Sequence, residues 1–187
     1  MEVLLKRHTL TVEQYHQMFD AGIITERDKV ELIKGEIIDM SPIGNRHSHY
    51  VGQLTDIFYE IFGRGVVIRG QMPIQLDNLS EPEPDIALCL PPRRRYIDHS
   101  PTPTETLLVV EVSHTSLGFD QQIKLPLYAE AGIPELWILD VEGQKLYVSK
   151  QPKDGQYLSQ KTYTTSDTLP VEIQGTLHQI PVSQILE

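Results

Sequence analysis

The sequence predicts an α/β fold: a mixed β-sheet flanked by helices, with a hairpin in front and extra strands behind. Three observations carry that prediction. His47, Val51, Leu54, Phe58 and Ile61 recur at steps of four, three, four and three, one face of an amphipathic helix. The runs "LLVV" (107–110) and "ELWIL" (135–139) are short, apolar and partly β-branched, as buried strands are. Between them, "DQQIKLPLYAEAG" reads as a helix closing at Gly132, so strand, helix and strand follow in order.

The remaining elements fit around these. "TVEQYHQMF" carries a capping-box pattern, Thr11 with Gln14, followed by Tyr15, Met18 and Phe19 on one helical face. "KVELIKGEIIDM" alternates around Lys34-Gly35, a two-residue hairpin signal. The helix of residues 47–61 ends at Gly63 and Gly65. "VVIRGQMPIQL" reads as a strand, with Pro73 marking an edge or a bulge. "SEPEP" is a stiff loop that delivers Asp85 to the strand "DIALCL". Pro126 limits where the later helix can begin. Two strands are expected near "KLYVS" and "YLSQKTY", then an apolar-periodic stretch from Leu177 to Leu186. The core order is helix–strand–strand–strand–helix–strand.

The 187 residues suit one domain, 1–187, with 40% hydrophobic and 22% charged residues. No apolar run reaches membrane-span length, and the start, "MEVLLKRHTL", is too weakly apolar for an export signal. One cysteine, Cys89, leaves no internal disulfide and no Cys-rich zinc site. A cytoplasmic protein without membrane contact is expected. The formal net charge of −10 argues against a general polyanion binder. The one basic run, Arg93 to Arg95, reads as a solvated loop, with a local phosphate-contacting loop as the alternative.

Glu111 poses the central question, because it sits at the end of a core strand where an unpaired charge costs several kcal/mol. Side chains alternate along a strand, so Val109, Glu111 and Ser113 share one face. Asp85 opens a neighbouring strand, which allows two carboxylates at one end of the sheet. Asp120 and Lys124, four apart, share a helix face a short loop away. Paired carboxylates suit a hard cation such as Mg²⁺ or Mn²⁺, and a nearby lysine can steady a phosphate or position the attacking water. These parts describe metal-assisted phosphodiester hydrolysis. Structural readings stand beside it: an ion pair for Glu111 and Lys124, a dipole-favoured helix residue for Asp120, a hydrogen-bonded inward histidine for His47, and core packing for Trp137 and Cys89.

"EPEPDIAL" followed by "LLVVEVSHTSLGFDQQIKLPLYAEAGIPELWILD" resembles the Uma-two family of the PD-(D/E)XK, restriction-endonuclease-like superfamily, and "VELIKGEIIDMSPIGNRHSHYVGQL" resembles its leading hairpin and first helix. The resemblance implies an αβββαβ core, a divalent metal and a DNA endonuclease. It sets Asp85 at the "PD" aspartate and Glu111 at the acidic (D/E) position, both as metal ligands, with Val112 offering its backbone carbonyl. Ser113 stands where the motif has lysine, and that role moves to Lys124. His47, Glu31 and Glu36 gain a place in the cleft. The rivals are a binding or assembly protein that keeps the fold without turnover, and a phosphodiesterase directed at RNA or nucleotides. A nucleic-acid partner is expected, and a homodimer is compatible with it.

Overall fold

A computed structural model of the chain describes residues 7–187, so the export-signal reading of the first residues falls largely outside the described part. Helix α1 (Val12–Asp20) opens with the expected box: Thr11 accepts from the Gln14 amide, and the Gln14 side chain accepts from the Thr11 amide. Strands β1 (Val30–Ile33) and β2 (Glu36–Asp39) form an antiparallel hairpin. Lys34 and Gly35 both take positive φ, 49° and 79°, as a tight hairpin turn requires. Helix α2 (Asn45–Phe62) ends at Gly63.

A six-stranded sheet follows, in the order β3-β4-β5-β6-β7-β8. Its members are β3 (Val67–Gly70), β4 (Ile86–Cys89), β5 (Thr106–Ser113), β6 (Glu135–Asp140), β7 (Lys145–Lys153) and β8 (Gln156–Tyr163). Only the β5–β6 pair is parallel, which makes the sheet mixed. The crossover between them is one helical run: α3 (Leu117–Phe119), a π-helical turn (Asp120–Lys124) and α4 (Leu125–Ala131). The expected αβββαβ order is therefore present, as α2-β3-β4-β5, the crossover, and β6.

Alternation along β5 sorts its side chains between two cores. Leu108, Val110 and Val112 pack with Leu54 and Phe58 of α2, whereas Val109 faces Leu127 and Tyr128 of α4. Trp137 is fully buried on the α2 side, and Cys89 on the α4 side, where burial pushes its thiol up to about 11. Among the described residues, no helix is long and apolar enough to cross a membrane.

Three expectations need correction. The strand expected over "VVIRGQMPIQL" stops at Gly70, on the edge of the sheet, and Pro73 lies beyond it. Pro126 limits only the regular α4, which starts at Leu125 with the proline in its first turn, while the helical run extends further back through the π turn. A proline lacks the amide that would bond back along the helix, and the turn before it widens so that the Leu125 amide reaches Asp120, five residues back. The C-terminal stretch forms a hairpin, β9 (Thr168–Ile173) with β10 (Thr176–Pro181), followed by the short α5 (Ser183–Leu186). Leu177, expected to be apolar-periodic, is exposed there.

Candidate functional site

At the end of the sheet where β5 and β6 finish and β4 begins, a cleft of about 530 Å³ opens. Its walls come from the β1–β2 hairpin, the loop before α2, the first turn of α2, Asp85, Glu111, Val112 and the segment from His114 to Lys124. β4 and β5 pair with Ile86 opposite Val110, so one further step sets Asp85 across from Glu111. The Asp85 Oδ2 accepts the Val112 amide at 2.7 Å, which fixes that carboxylate against the end of β5.

Glu111 has partners. Lys124 Nζ stands 3.1 Å from Glu111 Oε1 and 3.2 Å from Glu31 Oε2, and all three side chains are buried. The Tyr128 hydroxyl donates to the same Glu111 Oε1 at 2.6 Å. Lys124 and Tyr128 are four apart across the junction of the π turn with α4, so one helix edge delivers both to the strand end. Glu31 comes from β1 and also accepts the Glu83 amide at 3.0 Å, which ties the hairpin to the loop before Asp85.

The opposite wall is wetter. His47 Nε2 lies 2.9 Å from Asp85 Oδ1, and both side chains are 15% exposed. His47 Nδ1 is buried without a partner among the described residues. Its expected place as an inward, hydrogen-bonded histidine is half right: it faces a carboxylate of the cleft rather than the core.

Asp120 corrects the dipole reading. It is buried inside the helical run, and its Oδ2 accepts from Ser113 Oγ at 2.6 Å and from Ser116 Oγ at 2.7 Å. Ser113, at the motif's lysine position, thus spends its hydroxyl holding Asp120. Glu36 is not brought to the cleft. It shares a face of the hairpin with Glu31, since Glu31 stands opposite Ile38 and Ile33 opposite Glu36, but it sits at the turn end and pairs with Arg7 at 2.7 Å on an exposed surface. Arg93 to Arg95 lie past the far end of β4, where Arg93 donates to the Ile68 carbonyl and Arg95 pairs with Glu105. That run does not serve the cleft. Sequence reasoning missed Tyr128 and Glu83; the four-residue step from Lys124 to Tyr128 was the available signal for the first.

The electrostatics are one-sided. Burial pushes the Glu111 carboxyl up to about 8; Lys124 opposes this, while Asp85, Asp120 and Glu31 add to it. Burial also raises Glu83, reinforced by Glu31. Burial disfavours the Lys124 charge, yet Glu111, Glu31 and Asp120 together hold that ammonium above the ordinary lysine value. Tyr128 is raised by burial and by Glu111, so it remains a neutral donor. Several acids thus share one buried lysine. Among the described residues, no three His, Cys, Asp or Glu side chains stand close enough to cage a metal ion. Asp85 and Glu111 could hold a hard cation that keeps most of its shell as water, the habit of magnesium.

Fold and cleft together define a restriction-endonuclease-like protein: an αβββαβ core with acids gathered where β4 starts and β5 ends. Residues 12–182 match the Uma2 family model, described as "Putative restriction endonuclease", and the chain belongs to that family. Its structure is similar to that of a "putative nuclease belonging to DUF820" from Anabaena variabilis ATCC 29413, with a TM-score of 0.72 and 12% sequence identity, covering 95% of this chain and 97% of the other. At that identity the likeness shows the fold. No curated protein matches the sequence.

Proposed function

We propose that this chain is a metal-dependent endonuclease that hydrolyses phosphodiester bonds, with DNA as its substrate. The observation that carries the reading is a buried, charged Lys124 bracketed by Glu31 and Glu111, in a cleft that Asp85 also lines. Asp85, Glu111 and the Val112 carbonyl would hold Mg²⁺ or Mn²⁺. When bound, such an ion polarises a phosphoryl oxygen and lowers the pKa of its water.

The chain's own residues do the rest. Lys124 is held charged by Glu111, Glu31 and Asp120, so it has no lone pair to act as a base. Its part is to offset negative charge developing on the phosphate, while Glu31 and Tyr128 hold it and Glu111 in place. Val112 orients Asp85 through its amide, and Ser113 with Ser116 holds Asp120 at the cleft wall. A second reading, a nuclease fold used for binding without turnover, is favoured by Ser113, which replaces the motif lysine and is already engaged.

Purified protein incubated with duplex DNA, single-stranded DNA and RNA, in manganese or in chelator, separates these. Manganese-dependent DNA cleavage that disappears in Glu111→Ala supports the proposal. Cleavage that survives both the substitution and the chelator belongs to another site. Binding without cleavage of any substrate favours the second reading, and preference for RNA names a different phosphodiesterase.

A further inference from the structure

An acidic chain that acts on a polyanion needs cations at the mouth of its cleft, and Lys124 is committed inside. Two other basic side chains meet there. Arg46, in the first turn of α2, and His114, directly after β5, approach one oxygen: Arg46 Nη1 and His114 Nε2 each lie 2.9 Å from Glu142 Oε1. His114 lines the cleft, as does His47 beside Arg46. Glu142 belongs to the turn that follows β6, at the same end of the sheet. Three elements that terminate at the cleft therefore converge on one carboxylate oxygen.

We propose that Arg46 and His114 form a binding pair for a backbone phosphate flanking the scissile one, and that Glu142 holds their place until nucleic acid arrives. The inference rests on the nuclease reading above. Guanidinium groups recognise carboxylate and phosphate through the same donor geometry, so a phosphate can replace the carboxylate without rebuilding the pair. Replacement is easy here, because the Arg46, His114 and Glu142 side chains are 69%, 39% and 59% exposed and exposed ion pairs are weak. The first turn of α2 contains no acid, and its N-cap, Gly44, has no side chain to accept the leading amides, so the local field has the same sign.

Equilibrium binding of a fluorescein-labelled DNA oligonucleotide in chelator, followed by anisotropy across a salt series, tests this. Arg46→Gln should weaken binding and make the log–log salt slope shallower by about one phosphate contact. Glu142→Gln should tighten binding by up to roughly fivefold, the scale of one exposed ion pair. That gain should vanish when Arg46→Gln is also present. Glu172→Gln, the same charge change beside Pro134 at the opposite end of β6, should leave binding close to wild type. Equal tightening by Glu142→Gln and Glu172→Gln would mean bulk charge alone is at work and overturns the proposal. Wild-type binding that neither Arg46→Gln nor Glu142→Gln alters overturns it too, and leaves the nuclease reading standing. A wild type that neither binds nor cleaves nucleic acid sinks both.

Discussion

The two walls of the cleft carry carboxylates in different states. On the α4 side, Glu31 and Glu111 are almost dry, and their contacts are direct: Lys124 between them and Tyr128 on Glu111. On the α2 side, Asp85 keeps some exposure and meets one backbone amide and one histidine. The dry wall is a permanent frame, because a buried charge that loses its partner has nothing to replace it. The wetter wall can exchange partners with water or a cation. A ligand that enters this site should therefore be governed by Asp85, and the stability of the site by Lys124.

The largest effect should come from breaking the dry wall. Lys124→Met leaves Glu31 and Glu111 buried without their cation, which should cost roughly 3–5 kcal/mol in urea unfolding. Any cleavage should fall by roughly two to three orders of magnitude, as for loss of one electrostatic stabiliser. A variant as stable as the wild type would show that the buried triad is not a frame.

A smaller effect sharpens the same contrast through pH. Burial raises Glu111 from its ordinary 4.5 to about 8. Its contribution to stability is thus fully present below about 4.5 and is lost as pH rises through about 8, because the folded chain there must carry a disfavoured charge. The metal-free wild type should lose stability as pH rises from about 4.5 through about 8. Glu111→Gln keeps an oxygen for the Tyr128 hydroxyl and leaves Glu31 for Lys124, so this part of the slope should flatten. Urea midpoints at the two ends of the window check it, and identical slopes in both proteins refute the assignment to Glu111.

Much of this site was legible in the sequence, since strand alternation and helical spacing are local rules. Alternation put Glu111 on the face opposite Val110, and a short loop brought Lys124 back over it; both are geometric facts of the chain. What escaped reading depends on contacts between distant segments. Glu31 and Glu36 flank the same hairpin turn, and only packing against α4 and the loop before Asp85 decides that Glu31 faces Lys124 while Glu36 meets Arg7. The π turn was hidden because Pro126 looked like a boundary, whereas one wider turn accommodates it and buries both Asp120 and Lys124. The β9–β10 hairpin was missed because Gln174-Gly175, with positive φ at both positions, lies just before the stretch whose apolar spacing drew attention.

The smallest stability effect, and the sharpest separation of the two walls, should come from Asp85→Asn. Asparagine keeps an oxygen for the Val112 amide and nearly the same shape, and it loses only the charge facing His47. Because that pair is partly solvated, the metal-free variant should remain within about 1 kcal/mol of wild type. Its response to manganese should differ far more. If Asp85 and Glu111 share a cation, the wild type gains stability by mass action, about 2.7 kcal/mol at a hundredfold excess over Kd, and the variant gains little. Thermal melts of both proteins, in manganese and in chelator, give the two quantities together. An Asp85→Asn protein that is strongly destabilised without metal would make Asp85 part of the frame. An undiminished manganese response would remove Asp85 from the cation's shell, and the cation would then have to rest on the dry wall, where Lys124 already occupies the space between the acids.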